Sequence, residues 1–398
     1  MITEPLRTQL AEVLPDRPFR IVLWDGTEVP STTPDGPTFT VRSPVALSHM
    51  LRAPGQLGLG RAYVSGALEV DDVDKTLALL DGYSAPPVDA KAKLRLARAA
   101  VQAGALKQVP RTPAVELRPE GRRHSIARDK RAVTYHYDVS NDFFALFLDE
   151  SMTYSCAIWS RGAKTLEEAQ YTKRDLVCTK LALKEGERVL DVGCGWGSFA
   201  VHAAEHYGVH VTGITLSGPQ AEGARKRAEA AGVADRCEFR VMDYRELPGE
   251  QFDAIASIGM VEHVGAVNID AYSATLARLL KPGGRLLNHG IARLRHGEAE
   301  AGPFSERYVF PDAAPLHLSR IQSSLEKCGF ETRHVEGFRM DYAQTLREWL
   351  RRLEEHHDEA VRIAGPERMR VWEVYLRAAR RGFETSFTSV YQVLADRA

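Results

Sequence analysis

RVLDVGCGWGSFA, residues Arg188 to Ala200, joins a strand to a turn and a turn to a helix. Val189, Leu190, Asp191 and Val192 suit a buried parallel strand, Gly193, Gly195 and Gly197 follow at once, and Phe199 to Ala204 is apolar and helix-competent. Gly193 and Gly195 let the backbone pass close to a ligand where a Cβ would collide, and the N–H groups of the opening helix face the same point. A nucleotide-like cofactor is the expected occupant.

The spacing is G-x-G-x-G, unlike the G-x-G-x-x-G of dinucleotide folds, and a glycine turn serving only strand–helix packing is the alternative. Asp191 counts against that alternative. A carboxylate two residues before the first glycine would repel a pyrophosphate but suits the ammonium of a cofactor bearing an amino acid. Together with Gly193 and Gly195 it resembles the first motif of class I S-adenosylmethionine (SAM)-dependent methyltransferases. The expected fold is therefore α/β, a class I (Rossmann-like) methyltransferase domain preceded by a small α+β N-terminal domain.

At 398 residues and 44% hydrophobic, the chain is long enough for two domains with proper cores. Lys plus Arg total 52 against 53 Asp plus Glu, so overall charge predicts no nucleic-acid partner. Cys156, Cys178, Cys194, Cys237 and Cys328 are odd in number and show no C-x-x-C pair, which argues against a disulfide framework and a zinc site. The N-terminal stretch carries acidic residues and no long apolar run, and no segment approaches 18 uninterrupted apolar residues. The expected location is cytoplasmic, with any membrane contact peripheral, at the inner surface.

Residues 1–85 read as the small domain. Phe19 to Pro30 has strand character around Asp25-Gly26, a hairpin signal, and Thr38 to Ser43 alternates like a second strand. Helical runs follow at VALSHMLR and VDKTLALLDG, with Gly58 to Val70 between them expected to turn back along the sheet. A docking or dimerising role is expected here, which makes a homo-oligomer one of the expected partners. Residues 86–131 read as a basic linker: a proline break, a helical stretch, then Arg118, Arg122, Arg123, Arg128, Lys130 and Arg131 within fourteen residues. Such a run is either a solvated linker or a patch for an anionic leaflet, where each basic side chain contributes on the order of 1 kcal/mol. Residues 132–398 are the catalytic domain with lid segments.

Tyr135 to Trp159 crowds aromatics, acids and a lone Cys just ahead of that domain. Phe143, Phe144 and Phe147 are most simply one apolar helix face. Tyr137, Tyr154, Ser155 and Cys156 point to more, because a Y-S-C turn upstream of a cofactor fold can cap the site. HYDVSNDFF followed by LDESMTYSCAIW closely resembles a segment of the cyclopropane fatty acid synthases and mycolic acid cyclases, which act on double bonds in lipid acyl chains. The resemblance spans about 260 residues. It implies SAM as cofactor, with Tyr137, Tyr154, Ser155, Asp191, Gly193 and Gly195 among its contacts. His210 to Gln220 lacks the acid that most class I methyltransferases place at the end of the second strand. It carries the lipid cyclases' T-L-S-x-x-Q instead, which implies Thr215, Leu216 and Gln220, while Asp243 and Tyr244 are expected near the adenine.

Further on, Gln251 to Gly265 reads as the fourth strand, ending at Met260, Glu262 and His263 where α/β sheets hold their ligands. The fifth strand, Gly283 to Leu294, carries His289 and Ile291, and FRMDYAQTLREWLRRL brings Tyr342 to the start of a helix. In the family a Cys, a Glu, the His and Ile of H-x-I, and a Tyr hold a bicarbonate ion. The matching positions are Cys156, Glu262, His289, Ile291 and Tyr342. Glu306 to Ile321 resembles an insertion that helps close the acyl pocket. His356 and His357, on a charged helix, are expected to be exposed rather than metal ligands.

The implied reaction adds a carbon from SAM to the cis double bond of an unsaturated phospholipid acyl chain through a carbocation, with bicarbonate as base. Tyr137, Phe144 and Tyr154 are candidate walls for the cation, since aromatic faces stabilise positive charge without trapping it. Loss of a proton from the added methyl closes a cyclopropane. Loss from the neighbouring carbon gives a 10-methylene chain, which a separate reductase could convert to a methyl branch. Glu150 replaces the family's usual Pro and Gly290 its usual Thr, and with the C-terminal GFETSFTSVYQV these departures favour the methylene product, Glu150 being a candidate base. The alternatives are a cyclopropane synthase, a methyltransferase of soluble small molecules, and a non-catalytic SAM- and lipid-binding protein.

Overall fold

The computed structural model describes residues 1–107, 109–118, 120–137, 140–296, 302–313 and 315–398; the side chains of 132–134, 136 and 137 also lie outside the description. The chain forms two compact units, each assembled from three stretches of sequence.

The first unit takes residues Met1–Leu117, Gly302–Val309 and Ala364–Ala378. Its sheet runs β2–β1–β3–β4, with β1 at Arg20–Val22, β2 at Glu28–Val29, β3 at Thr38–Val41 and β4 at Leu68–Val70. The β1–β2 hairpin turns at Asp25-Gly26, Gly26 supplying the positive φ of 83° and Asp25 accepting from the Thr27 N–H (3.1 Å). Two expectations change here. Residues 58–64 of the Gly58–Val70 segment belong to a helix, Gln56–Val64, and only Leu68–Val70 pairs with the sheet. The residues read as linker are divided: 86–117 pack with this unit, because the helix Ala90–Gln102 sets Ala99 and Ala100 into a core shared with Leu6, Leu23, Val41 and Leu68. A buried ion pair within the first stretch also anchors Gly302–Val309. Glu116, its side chain fully enclosed, accepts from Arg61 (2.6 and 2.7 Å) and from the Tyr308 hydroxyl (2.9 Å).

The second unit takes Arg118–Ala301, Phe310–Ile363 and Ala379–Ala398. Five strands follow in chain order, β5 (Arg188–Val192), β6 (His210–Thr215), β7 (Cys237–Val241), β8 (Phe252–Ile258) and β9 (Leu280–Arg293), then β10 (Leu316–His317), β11 (Phe330–Gly337) and β12 (Thr388–Arg397). The sheet order is β11–β12–β9–β8–β5–β6–β7, with β10 beside β9. Strands β7, β6, β5, β8 and β9 are mutually parallel, and β12 is antiparallel to both of its neighbours. Val189, Leu190 and Val192 are buried because helices cover both faces of the sheet, as parallel strands require. Strand order reverses at β5, so the loops after β5 and β8 open a crevice where ligands of such sheets bind. The cationic run after residue 117 is partly engaged within this unit: Arg123 (2.9 Å) and Arg128 (2.5 Å) pair with Asp312, and Asp129 pairs with Arg245 (2.8 Å).

Candidate active site

The crevice holds a cavity lined by the loop after β5 and the ends of β6, β7 and β8. Gly193 and Gly195, with φ of 81° and 52°, form its floor, and a Cβ on Gly193 would stand 3.0 Å from the Met260 side chain. Asp191 lines it while 2% exposed, and its Oδ2 has no hydrogen-bond partner. Burial pushes this carboxyl up to about 7, as desolvation does to an acid with no close cation on the same wall. A buried carboxylate with an unpaired oxygen, set beside a glycine turn, fits the amino-acid end of SAM.

The other contacts named from sequence converge on the same cavity. Thr215, at the end of β6, donates to Gln220 Oε1 (2.7 Å) and accepts from the Ser217 N–H (3.2 Å), so the T-L-S-x-x-Q segment locks itself before the helix Gly218–Ala230 begins. Leu216 lies between them on the wall. Asp243 caps the short helix Tyr244–Glu246 and is held by Arg245 (2.7 Å on each oxygen); Tyr244 packs edge-on against Tyr272 at 5.5 Å. Tyr154 and Ser155 close the near side, Tyr154 stacking on Trp349 at 5.1 Å and standing edge-on to Phe144 at 5.4 Å. Phe143, Phe144 and Phe147 are fully buried.

The Tyr154–Trp159 segment is irregular backbone and is positioned by two helices. From the helix Leu166–Lys180, Gln170 donates to the carbonyls of Thr153 (3.2 Å) and Ser155 (2.9 Å), and Lys173 donates to Ser155 Oγ (2.7 Å). From the helix Arg339–Glu355, Thr345 Oγ1 accepts from the Ala157 N–H (3.1 Å) and the Trp159 indole (3.0 Å), and Asp341 accepts from the N–H groups of Trp159 (2.6 Å) and Ser160 (2.7 Å).

Cys156, Glu262, His289, Ile291 and Tyr342 do not line this cavity; they form two linked groups beside it. Cys156 Sγ approaches the Phe338 carbonyl (3.9 Å), which also accepts from the Tyr342 N–H (3.1 Å). Phe338 N–H donates to Val390, which is registered against Ile291 on β9. Glu262 Oε2 lies close against β9 at Gly290, beside Ile291, and His289 lies two residues before Ile291 on the same strand face. Glu262 Oε2 and both ring nitrogens of His289 are buried with no partner. Burial raises Glu262 to about 7 and holds His289 well below its ordinary value, so near neutrality His289 is uncharged and Glu262 keeps a proton part of the time. Neutral donors and empty acceptors in an enclosed place fit a small polar anion. Cys156 is pushed well up by burial and is no thiolate.

One sequence assignment ends elsewhere. Glu150 is exposed, away from the cavity, and its backbone carbonyl accepts from Arg227 (3.0 Å); the acid follows a buried Asp149 and points to solvent, as a charged loop residue does. The Tyr137 side chain lies outside the described residues. His356 and His357 are exposed. Lys173, Thr345 and Asp341 were not singled out from sequence. Lys173 had a signal: it sits on the stripe Leu166, Ala169, Gln170, Lys173, Val177 that faces the core.

The family model for mycolic acid cyclopropane synthetase matches residues 124–393. The probable fatty acid methyltransferase Rv3720 of Mycobacterium tuberculosis is 38% identical over 98% of this chain and 95% of its own length. The cyclopropane-fatty-acyl-phospholipid synthase of Escherichia coli K12 is 34% identical over 90% of this chain and 87% of its own. The crystal structure of the mycolic acid cyclopropane synthase CmaA1 complexed with SAH (S-adenosylhomocysteine) and CTAB is 32% identical, covers 67% of this chain and 98% of its own, and superposes with a TM-score of 0.64. The chain belongs to the mycolic acid cyclopropane synthetase family of SAM-dependent methyltransferases.

Proposed function

We propose that this enzyme adds the methyl carbon of SAM to the cis double bond of an unsaturated phospholipid acyl chain, with loss of a proton that leaves a 10-methylene branch. The observation that carries the reading is the pairing of the cofactor-shaped cavity with the partnerless Glu262–His289 group beside it. SAM, when bound, supplies an electrophilic methyl that an alkene can attack without a metal. The chain's own residues do the rest. Asp191 and the glycine turn orient the amino-acid end, Tyr154, backed edge-on by the buried Phe144, offers an aromatic face to positive charge developing on the acyl chain, and the buried wall excludes water that would quench it. Bicarbonate, held by Glu262, His289, Ile291, Cys156 and Tyr342, would supply a small general base.

For the product, Gly290 supports the methylene reading and Glu150, being exposed, does not. A Cβ at Gly290 would collide with Val261 Cγ1 and stand 3.1 Å from Glu262 Oε2, so the glycine lets this carboxylate close onto the strand. A cyclopropane product is the second reading, favoured by the similarity to the E. coli synthase. The helix Ala90–Gln102 exposes Leu94 and Val101 beside Lys91, Lys93 and Arg98, which supports peripheral docking on an anionic leaflet. A methylene product would pass to a separate reductase.

The test is NMR and mass spectrometry of lipids from cells expressing this protein with a cis-monounsaturated fatty acid and labelled methionine. Vinylidene protons are the expected result. Upfield cyclopropane signals would replace the product assignment, and the absence of labelled lipid would overturn the lipid reading altogether.

A further inference from the structure

The cavity contains a second buried charge that the reaction outlined above does not use. Lys173 is 1% exposed, lines the cavity, and donates to Ser155 Oγ at 2.7 Å. Among the described residues no carboxylate lies within 4.0 Å of its Nζ, so this ammonium is buried without an ion-pair partner. Asp191 stands on the same wall, also without one. Each senses the other's field, yet they do not close into a salt bridge. Two opposite charges held apart inside one enclosed cavity are costly unless something charged bridges them.

We propose that Lys173 binds the α-carboxylate of the cofactor's amino-acid end while Asp191 faces the ammonium, so that the pair reads the zwitterion. This rests on the reading that SAM occupies the cavity. Ser155 contributes to the same subsite. Its oxygen accepts from Lys173, leaving its hydroxyl proton to donate to the carboxylate. Burial draws Lys173 down to about 7, and a carboxylate bound beside it would restore its charge. The arrangement selects for the intact methionyl group. A nucleoside carrying only an amine would satisfy Asp191 and leave the ammonium buried alone.

Isothermal titration of the full chain with SAH and with its decarboxylated analogue, which keeps the amine and lacks the carboxylate, tests this. The wild type should bind SAH about 10- to 100-fold more tightly than the analogue, the range of a charge-assisted contact. Lys173→Met keeps the stem and removes the charge, and should bind the two alike to within about threefold. Equal binding of both ligands by the wild type would overturn the inference whatever the variant does. So would a Lys173→Met variant that keeps the full preference. Failure of the wild type to bind SAH at all would overturn the SAM reading and this inference with it, whereas SAH bound without discrimination overturns this inference alone.

Discussion

Thr345→Val is the sharpest test of how the Tyr154–Trp159 segment is held in place. Valine matches threonine in shape, so packing in this fully buried position survives, but the acceptor for two donors is lost. The Ala157 N–H sits in fully buried surroundings, and the Trp159 indole is half-buried. Each donor left unmet costs about 1–3 kcal/mol, less where water can reach it, so the pair amounts to about 2–4 kcal/mol. Because the chain has two compact units, a single denaturation midpoint would mix their transitions. Hydrogen exchange of peptides spanning 154–160 reads the effect locally: at 1.4 kcal/mol per tenfold, exchange should quicken roughly 30- to 700-fold. SAH affinity should fall too, since Ser155 is part of the cavity wall. Thr345→Ser, which keeps the acceptor, should stay near wild type. A folded Thr345→Val protein with unchanged exchange in this segment would refute the claim that the helix Arg339–Glu355 positions it.

Asp191→Asn should trade binding for stability. The native carboxyl is raised from 3.8 to about 7, so the folded state holds the extra proton between those values and ligand-free stability falls as pH rises through that window. The variant should therefore gain up to about 4 kcal/mol at pH 8 and almost nothing at pH 3, while losing SAH affinity; hydrogen exchange around residues 188–200 that is faster than in the wild type at pH 8 would contradict the burial argument. Glu150→Ala should keep its rate and product distribution within about twofold in a lipid methylation assay, because the side chain faces solvent. Gly290→Thr should cut activity at least about tenfold by forcing Val261 and Glu262 off the strand, and adding Val261→Ala should restore part of it; equal loss in both proteins would mean that the crowding is not the cause.

Much of this protein is written locally. Strand, glycine turn and helix at Arg188–Ala200 need only alternating backbone requirements within a dozen residues, and the proposed cofactor contacts at Asp191, Gly193, Thr215 and Asp243 fall at strand ends for the same reason. The Asp25-Gly26 hairpin is equally local. What required the tertiary structure are features created by burial and by distant partners. Lys173 falls on the core-facing stripe of its helix, but only packing sets it beside Asp191, and Thr345 reads as a helix residue until it meets Ala157, 188 positions away. Glu150 looked well placed beside the aromatic segment, but loop direction sent it outward. Even the unit boundary depends on long-range contact, since Gly302–Val309 and Ala364–Ala378 join residues 1–117 through packing and through bonds such as Tyr308 to Glu116 and Arg370 to Glu69. Sequence determined which residues could do the chemistry; folding decided which of them are deprived of water and partners, and desolvation is what turns an ordinary side chain into a binding group.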